Sequence, residues 1–477
     1  MNETVFPDHI FKAYDVRGVY PTELDEDLAQ RTGKAFTTFL QKEEDKTNLT
    51  FVVAMDMRLS SPNLKKELIK GIRAMGAKVI DIHLSSTPMF YFAVAHLSAD
   101  GGIIVSASHN PKEYNGLKMV RKHAIPISYE TGIYDVRDLV KENKFNTKHN
   151  DNWGTYTKKV NIINDYLDHE LKYAKKENQK DFKKMIDALK EITVVCDPAN
   201  SMGATYLSAL FERIPASLIK MNFELDGCFP AHQADPLVEE NLSDLKQQVR
   251  KNHADLGIAT DGDGDRLFLV DNLGETVPSH ILRGLLAKIF LRNHPKSPIC
   301  YDIRPGRITR DMIEEYGGTP VVTRVGHSLI KEKMREVNAV FAGESSGHYF
   351  YRFDHGSYEA PVLMIVLLLL ELIKERKQEG KNTLSFSDLI KPYKKYVHSG
   401  EINSKVDDKQ KVIDRIIQTY DDANKKSFLD GVTIEYDDFW FNIRPSNTEP
   451  LLRLNLEAIT QEIMEEKRDE VLALISS

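Results

Sequence analysis

At 477 residues the chain is too long for one ordinary hydrophobic core, so several compact units of ~100–150 residues each are expected. With 41% hydrophobic and 28% charged residues it reads as folded rather than disordered, and a net charge of -7 excludes a broad basic face for nucleic acid or membrane surfaces. Any anionic ligand must therefore meet locally concentrated Arg and Lys.

The N-terminal MNETVFPDHIFKAYD lacks the basic flank and apolar stretch of a signal peptide. Cys196, Cys228 and Cys300 are sparse and far apart, with neither zinc nor disulfide spacing, so a cytoplasmic setting is expected.

In the first unit Phe51–Asp56, Lys78–Leu84 and Gly102–Ser108 read as buried strands, with a helix over NLKKELIKGIRAMG. Ser108 then falls just beyond a strand end, where α/β proteins place ligands. Its loop, SASHNPKEYNGLK, adds His109 and Lys118, two groups able to assist a weak serine nucleophile.

The segment from Glu170 to Glu191 is rich in Lys, Glu and Asp at helical spacing and reads as a solvated helix face. The second unit continues through ITVVCDPANSMGA to ADLGIATDGDGDRLFLVD, two apolar runs broken by an acidic glycine loop. There Asp261, Asp263 and Asp265 alternate with glycines, which lets three carboxylates converge on one hard cation, with Mg²⁺ the natural candidate. An EF-hand is excluded because Arg266 stands at its sixth position and Asn272 at its twelfth.

Strand-like runs SPICYDI, TPVVTRV and AVFAGESSGHYFY define a third unit. The apolar run Val362–Leu370 is too short for a bilayer and reads as a buried core helix. GESSGH supplies a carboxylate, hydroxyls and an imidazole suited to sugar hydroxyls. A smaller C-terminal unit carries RPSNTEP between two strands, a guanidinium with further donors that suits a phosphate not being transferred.

SASHNP, DGDGDR, GESSGH and RPSNTEP, with YDVRG at Tyr14–Gly18 and GHSLIKEKM at Gly326–Met334, occur in an order that resembles the α-D-phosphohexomutase superfamily over nearly the whole chain. Within it the sequence is most similar to bacterial phosphomannomutases and dual phosphomannomutase/phosphoglucomutases. The resemblance implies three consecutive α/β domains of similar topology plus a smaller C-terminal α+β domain, around a central active-site cleft. We place them at residues 1–153, 154–275, 276–396 and 397–477.

It further implies a phosphorylated Ser108, with a phosphate oxygen joining Asp261, Asp263 and Asp265 on Mg²⁺, and Arg17 and Arg266 offsetting the added charge. His109, Lys118 and His348 are acid/base candidates. Arg304, His327, Glu344 and Ser346 would contact the sugar, and Arg444, Ser446, Asn447 and Thr448 would hold the distal phosphate. Arg304 departs from the pattern, since its family position is commonly lysine.

The implied reaction interconverts mannose 6-phosphate and mannose 1-phosphate, or the glucose pair, through a hexose 1,6-bisphosphate. A phosphoglucosamine mutase is the nearest alternative, and a catalytically silent sugar-phosphate-binding paralogue the next. Hexose phosphates are the expected partners, without nucleic acid or membrane, and the chain is expected to act as a monomer or weak homo-oligomer.

Overall fold

Short β-branched runs form the sheet interiors of this protein, and the helices between them each bury one stripe. The computed structural model describes residues 6–145, 153–159, 161–178, 181–304, 306–378, 383–445 and 450–476.

The first segment runs β1 (Val16–Val19), α1 (Glu26–Glu43), β2 (Thr50–Met55), α2 (Ser61–Ala74), β3 (Lys78–Leu84), α3 (Thr87–His96), β4 (Gly101–Val105), β5 (Tyr114–Arg121), α4 (Tyr134–Glu142) and β6 (Tyr156–Lys158). Its sheet is ordered β1-β5-β4-β2-β3-β6. The continuous apolar run of β2 is buried and pairs parallel with both β3 and β4, while β5 returns antiparallel to β4. Asp25 caps α1 by accepting from the Leu28 N–H at 2.8 Å, and Leu28, Phe36 and Leu40 bury its inner face.

The second segment runs α5 (Ile162–Glu177), α6 (Phe182–Ala188), β7 (Thr193–Asp197), α7 (Gly203–Phe211), β8 (Ser217–Lys220), α8 (Ser243–Lys251), β9 (Leu256–Thr260) and β10 (Leu267–Asp271). Its sheet is ordered β10-β9-β7-β8, parallel except for β10.

Next come α9 (Ser279–Leu291), β11 (Pro298–Asp302), α10 (Arg307–Glu315), β12 (Thr319–Thr323), α11 (His327–Glu336) and β13 (Phe341–Gly343), in which β11 pairs parallel with β12 and β13. The hairpin of β14 (Tyr349–Phe353) and β15 (Gly356–Glu359) leads into α12 (Pro361–Gln378) and the short α13 (Phe386–Ile390). The C-terminal segment holds β16 (Val397–Lys405), α14 (Lys409–Thr419), β17 (Lys425–Ser427), β18 (Val432–Glu435), β19 (Phe439–Pro445), β20 (Leu451–Ala458) and α15 (Gln461–Ser476). Its antiparallel sheet is ordered β16-β20-β19-β18-β17.

Three α/β segments and a C-terminal antiparallel one bear out the expected fold class. The similar topology is also visible. In each α/β segment the first core strand (β2, β7, β11) is central, with the second (β3, β8, β12) on one side and the third (β4, β9, β13) on the other. By compactness the chain forms two units, Met1–Val277 with His348–Phe386, and Pro278–Gly347 with Ser387–Ser477.

Val362–Leu370 is buried within α12, as its apolarity implies, and no helix among the described residues is long and apolar enough to cross a membrane. In the Glu170–Glu191 segment the described lysines are exposed, as a solvated face requires, but two glutamates depart from it. Glu170 and Glu177 are buried on α5, where Glu170 accepts from the Leu363 N–H at 3.1 Å and Glu177 from the Tyr351 hydroxyl at 2.6 Å. Charge periodicity alone concealed this, because the apolar residues beside them, Tyr166, Leu167, Tyr173 and Ala174, turn the same face inward.

Candidate active site

Ser108 lies three residues beyond β4, is almost fully buried and adopts φ +52°, a left-handed backbone that a non-glycine residue holds only when its surroundings fix it. Arg58, just past β2 and fully buried, supplies that fixation. Its guanidinium donates to the carbonyls of Ser108 (2.8 Å), Asn110 (2.6 Å), Pro111 (2.7 Å) and Tyr114 (3.0 Å), and Asp56 balances its charge at 3.2 Å. Arg17 braces the same loop by donating to Asn110 Oδ1 at 2.6 Å and to the Ala107 carbonyl at 3.3 Å.

The aspartate loop begins one residue past β9, the strand that corresponds to β4. Ser108 Oγ donates to Asp261 Oδ2 at 2.7 Å, and His109 Nδ1 stands 3.3 Å from the same hydroxyl. Gly262 permits this closeness, since a Cβ there would lie 2.1 Å from the Ser108 carbonyl oxygen. The other Asp261 oxygen accepts from the N–H groups of Asp265 and Arg266, both at 3.2 Å. Thr87 Oγ1 donates to Asp263 Oδ2 at 2.6 Å. Lys118 Nζ bridges Asp263 and Asp265, the latter at 2.9 Å, and His348 Nε2 approaches Asp265 at 3.2 Å. Arg266 reaches Asp261 at 3.7 Å and Asp235 at 3.6 Å.

Burial, then the Asp265 and Asp263 charges, push the Asp261 carboxyl up to about 7. Burial opposes ionisation of Asp265 too, but Lys118 and His348 outweigh it and hold that carboxyl well below its usual range. Burial also disfavours the Lys118 ammonium, yet Asp263 and Asp265 keep it well above the ordinary lysine range. His109, partly buried and facing Arg266 and Arg17, is lowered to about 2 by desolvation and then by those two charges, so its imidazole is neutral.

Asp261, Asp263 and Asp265 present oxygens within 4.8 Å of one another, all buried, and Asp263 Oδ1 has no hydrogen-bond partner among the described residues. The Lys118 ammonium already sits between two of these carboxylates as a point cation. A buried all-oxygen set that draws a cation fits a hard divalent metal.

In the other compact unit, Glu344 lies one residue past β13, the third counterpart of β4 and β9. It is buried and accepts from the Gly326 N–H at 2.8 Å, which joins GESSGH to the loop that places His327 at the start of α11. Ser346 Oγ donates to Glu344 at 3.4 Å. Arg304 is engaged by Asp302, with Nε at 2.7 Å and Nη2 at 2.5 Å, and Asp302 also pairs with buried Arg283 and accepts from Ser345 Oγ at 2.9 Å. Arg444 donates to Glu401 at 2.8 Å. Ser446, Asn447 and Thr448 lie outside the described residues.

The fold thus gathers Ser108, Arg17, His109, Lys118, Asp261, Asp263, Asp265, Arg266 and His348 within one unit, while Arg304, His327, Glu344, Ser346 and Arg444 belong to the other. Sequence reading missed Arg58, Thr87, Asp302, Glu401 and Glu359. The Glu359 carboxylate lies, with Asp265 and His348, in a second buried trio whose donor atoms are within 4.8 Å. Only Arg58 and Asp302 had a sequence signal, a D-x-R triplet closing an apolar strand in AMDMR and again in CYDIR.

Four consecutive stretches match the domains of one family: phosphoglucomutase/phosphomannomutase α/β/α domains I (residues 8–147), II (164–274) and III (278–396), and its C-terminal domain (401–474). The chain is 38% identical over 473 residues to a protein named phosphomannomutase from Methanocaldococcus jannaschii, covering 98% of this chain and 97% of that one. The chain belongs to the phosphoglucomutase/phosphomannomutase family. A phosphomannomutase from Vibrio cholerae is 37% identical, with 98% of both chains covered. A solved structure of a phosphoglucomutase/phosphomannomutase family protein from Burkholderia thailandensis superposes with a TM-score of 0.84 at 29% identity, over 98% of this chain and 97% of that one. Membership bears out the expected superfamily and its four-domain architecture, and the serine and aspartate loops of this family member meet in one buried cluster.

Proposed function

We propose that the chain interconverts mannose 6-phosphate and mannose 1-phosphate, and the corresponding glucose phosphates, through a phosphorylated Ser108 and a hexose 1,6-bisphosphate. The observation that carries this reading is the 2.7 Å hydrogen bond from Ser108 Oγ to Asp261 inside a buried trio of aspartates. Family membership, and the names of the relatives, support the same reaction.

In the forward step the phosphorus–Oγ bond of phosphoserine 108 breaks as a sugar hydroxyl oxygen bonds to the phosphorus. The hydroxyl proton passes to His348, the candidate base beside Asp265, while Lys118, an acid/base candidate by sequence, is kept as an ammonium by Asp263 and Asp265 and serves as a fixed cation instead. The bisphosphate then reorients, its other phosphate returns to Ser108 Oγ, and the proton returns to the freed oxygen. Such transfer depends chiefly on positioning and charge stabilisation. Arg17 and Arg266 offset phosphate charge, Asp261, Asp263 and Asp265 hold Mg²⁺, and Mg²⁺ when bound polarises the phosphoryl oxygens.

Glu344, Ser346, His327 and Arg304 are assigned to the sugar, and Arg444, Ser446, Asn447 and Thr448 to the phosphate that is not transferred. The domain boundaries at 1–153, 154–275, 276–396 and 397–477 belong to the same reading, with support from the family matches.

Coupled assays with mannose 1-phosphate, glucose 1-phosphate and glucosamine 1-phosphate, each with catalytic hexose bisphosphate, test the reading. Turnover of mannose phosphate is expected, and Ser108→Ala should abolish labelling by a radioactive hexose bisphosphate. Turnover of glucosamine phosphate alone would transfer the chain to the amino-sugar reaction. Undiminished labelling of Ser108→Ala would remove the serine from its role.

A further inference from the structure

A basic cavity of about 430 Å³ opens on the edge of the first sheet, between α2, β3 and β6. Its site belongs to none of the groups described above. β6 is separated from β4, the strand leading to Ser108, by β3 and β2, a lateral distance of ~14 Å at the usual strand spacing.

The floor of the cavity is built around one buried carboxylate. Asp81 accepts from Lys65 Nζ at 2.8 and 2.9 Å, from the His83 N–H at 2.8 Å and from the Tyr156 hydroxyl at 2.9 Å. These bonds fix the Tyr156 ring and the backbone of His83, which sits at φ +65° where the β2–β3 register shifts. With Asp81 set against Lys65, and Glu67 against Lys70, three cations remain around the opening: Lys66, Arg73 and Lys158. Lys66 and Lys158 are exposed and make no ion pair among the described residues. Arg73 donates to the Gly154 carbonyl at 2.8 Å and stacks 5.5 Å from the Trp153 ring, without a carboxylate. Burial, then Lys65, and after it Lys158, hold the His83 imidazole below its usual range, in keeping with a positive local field.

An uncompensated cluster of cations in a concave site, on a chain of net charge -7, calls for a multiply charged anion. Tyr156 adds a half-exposed aromatic face on the same side of β6 as Lys158, two residues along the strand. The volume is that of a small-molecule site.

We propose that this cavity binds a nucleoside di- or triphosphate, with its phosphates on Lys66, Arg73 and Lys158 and its base against the Tyr156 ring. The compactness of the basic patch within an acidic chain favours a mononucleotide over nucleic acid.

The test is calorimetric titration of the intact protein with ADP and, separately, with inorganic pyrophosphate. Both should bind saturably, and the double variant Lys66→Glu/Lys158→Glu should weaken both by about tenfold or more. That variant should retain its turnover of hexose phosphate, since neither lysine is in the proposed machinery, and this also reports that it folds. Tyr156→Leu should weaken ADP by about fivefold and leave pyrophosphate unchanged, while Tyr156→Phe keeps wild-type affinity for both. Arg444→Ala should bind ADP as the wild type does, which separates this cavity from the phosphate site assigned above. Absence of saturable ADP binding, or wild-type ADP affinity in the double lysine variant, would overturn the site. An unchanged ADP affinity in Tyr156→Leu would overturn the nucleoside part. A short single-stranded oligonucleotide that binds more tightly than ADP through the same lysines would overturn the small-molecule assignment.

Discussion

The Arg58 guanidinium donates to the Ser108 carbonyl at 2.8 Å, and the same side chain holds three further carbonyls of the loop that follows. The left-handed backbone at Ser108 is therefore imposed by a residue 50 positions earlier. Arg58→Lys keeps the charge opposite Asp56 but loses the planar fork, so turnover should fall by ~10–100-fold with a modest loss of stability. Arg58→Met leaves the Asp56 charge and four carbonyls without their partner, and should cost ~3–5 kcal/mol. Phosphate labelling and urea unfolding of both variants check this. Lysine performing as arginine would show that charge alone holds the loop.

Gly262 lets the backbone of the aspartate loop lie close against the serine loop. Gly262→Ala would put a Cβ 2.1 Å from the Ser108 carbonyl oxygen, a backbone atom that Arg58 already anchors. The loops must part, at a cost of ~1–3 kcal/mol, and misplacing Ser108 relative to Asp261 should lower kcat by ~100-fold. Single-turnover kinetics would show a slow chemical step with KM little changed.

The architecture and the serine–aspartate half of the site were legible because each active loop caps a short buried strand and is punctuated by glycine or proline. What the sequence hid is the support beneath them. Asp56-Met57-Arg58 and Asp302-Ile303-Arg304 end topologically equivalent strands, and in both the arginine pairs with the aspartate two residues before it. Two triplets so far apart are readable as a repeat only once strand order is known. Arg304 accordingly has part of its fork committed to Asp302, which local sequence around CYDIRPGR does not announce. Glu170 was hidden for the opposite reason, a charged residue inside a charged helix.

Burial pushes the Glu170 carboxyl up to about 8 from an ordinary 4.5, with the Leu363 N–H only partly offsetting it. Below pH 4.5 both folded and unfolded chains are protonated there, so no penalty arises. As pH rises toward 8 the unfolded chain ionises first, and stability falls by ~1.4 kcal/mol per pH unit until the folded carboxyl also ionises. Glu170→Gln should remove that slope. Tyr166 and Tyr358, held above the ordinary phenol range by burial, stay protonated throughout and do not obscure it. Melting midpoints of wild type and variant should lie closest near pH 4.5, already differ at pH 6 and diverge most at pH 8.5, with the variant gaining on the wild type as pH rises. Parallel curves would place the ionised carboxylate in water.

Thr87 lies at the start of α3 and orients Asp263 through two bonds, its hydroxyl to Oδ2 at 2.6 Å and its N–H to the Asp263 carbonyl at 2.9 Å. Thr87→Val keeps the shape and the backbone bond but deletes the hydroxyl donor, so Asp263 Oδ2 would retain Lys118 as its remaining partner. A ligand carboxylate without its orienting partner typically loses 10–100-fold in metal affinity, on the order of a few kcal/mol at most. The expected result is a rightward shift of that order in the Mg²⁺ dependence of turnover, with kcat recovered at saturating metal because the reacting groups are untouched. Chelation should silence both proteins, and Mg²⁺ should restore the wild type at lower concentration. A drop in kcat at saturating Mg²⁺ without any shift in its midpoint would mean that Thr87 serves the serine loop rather than the metal.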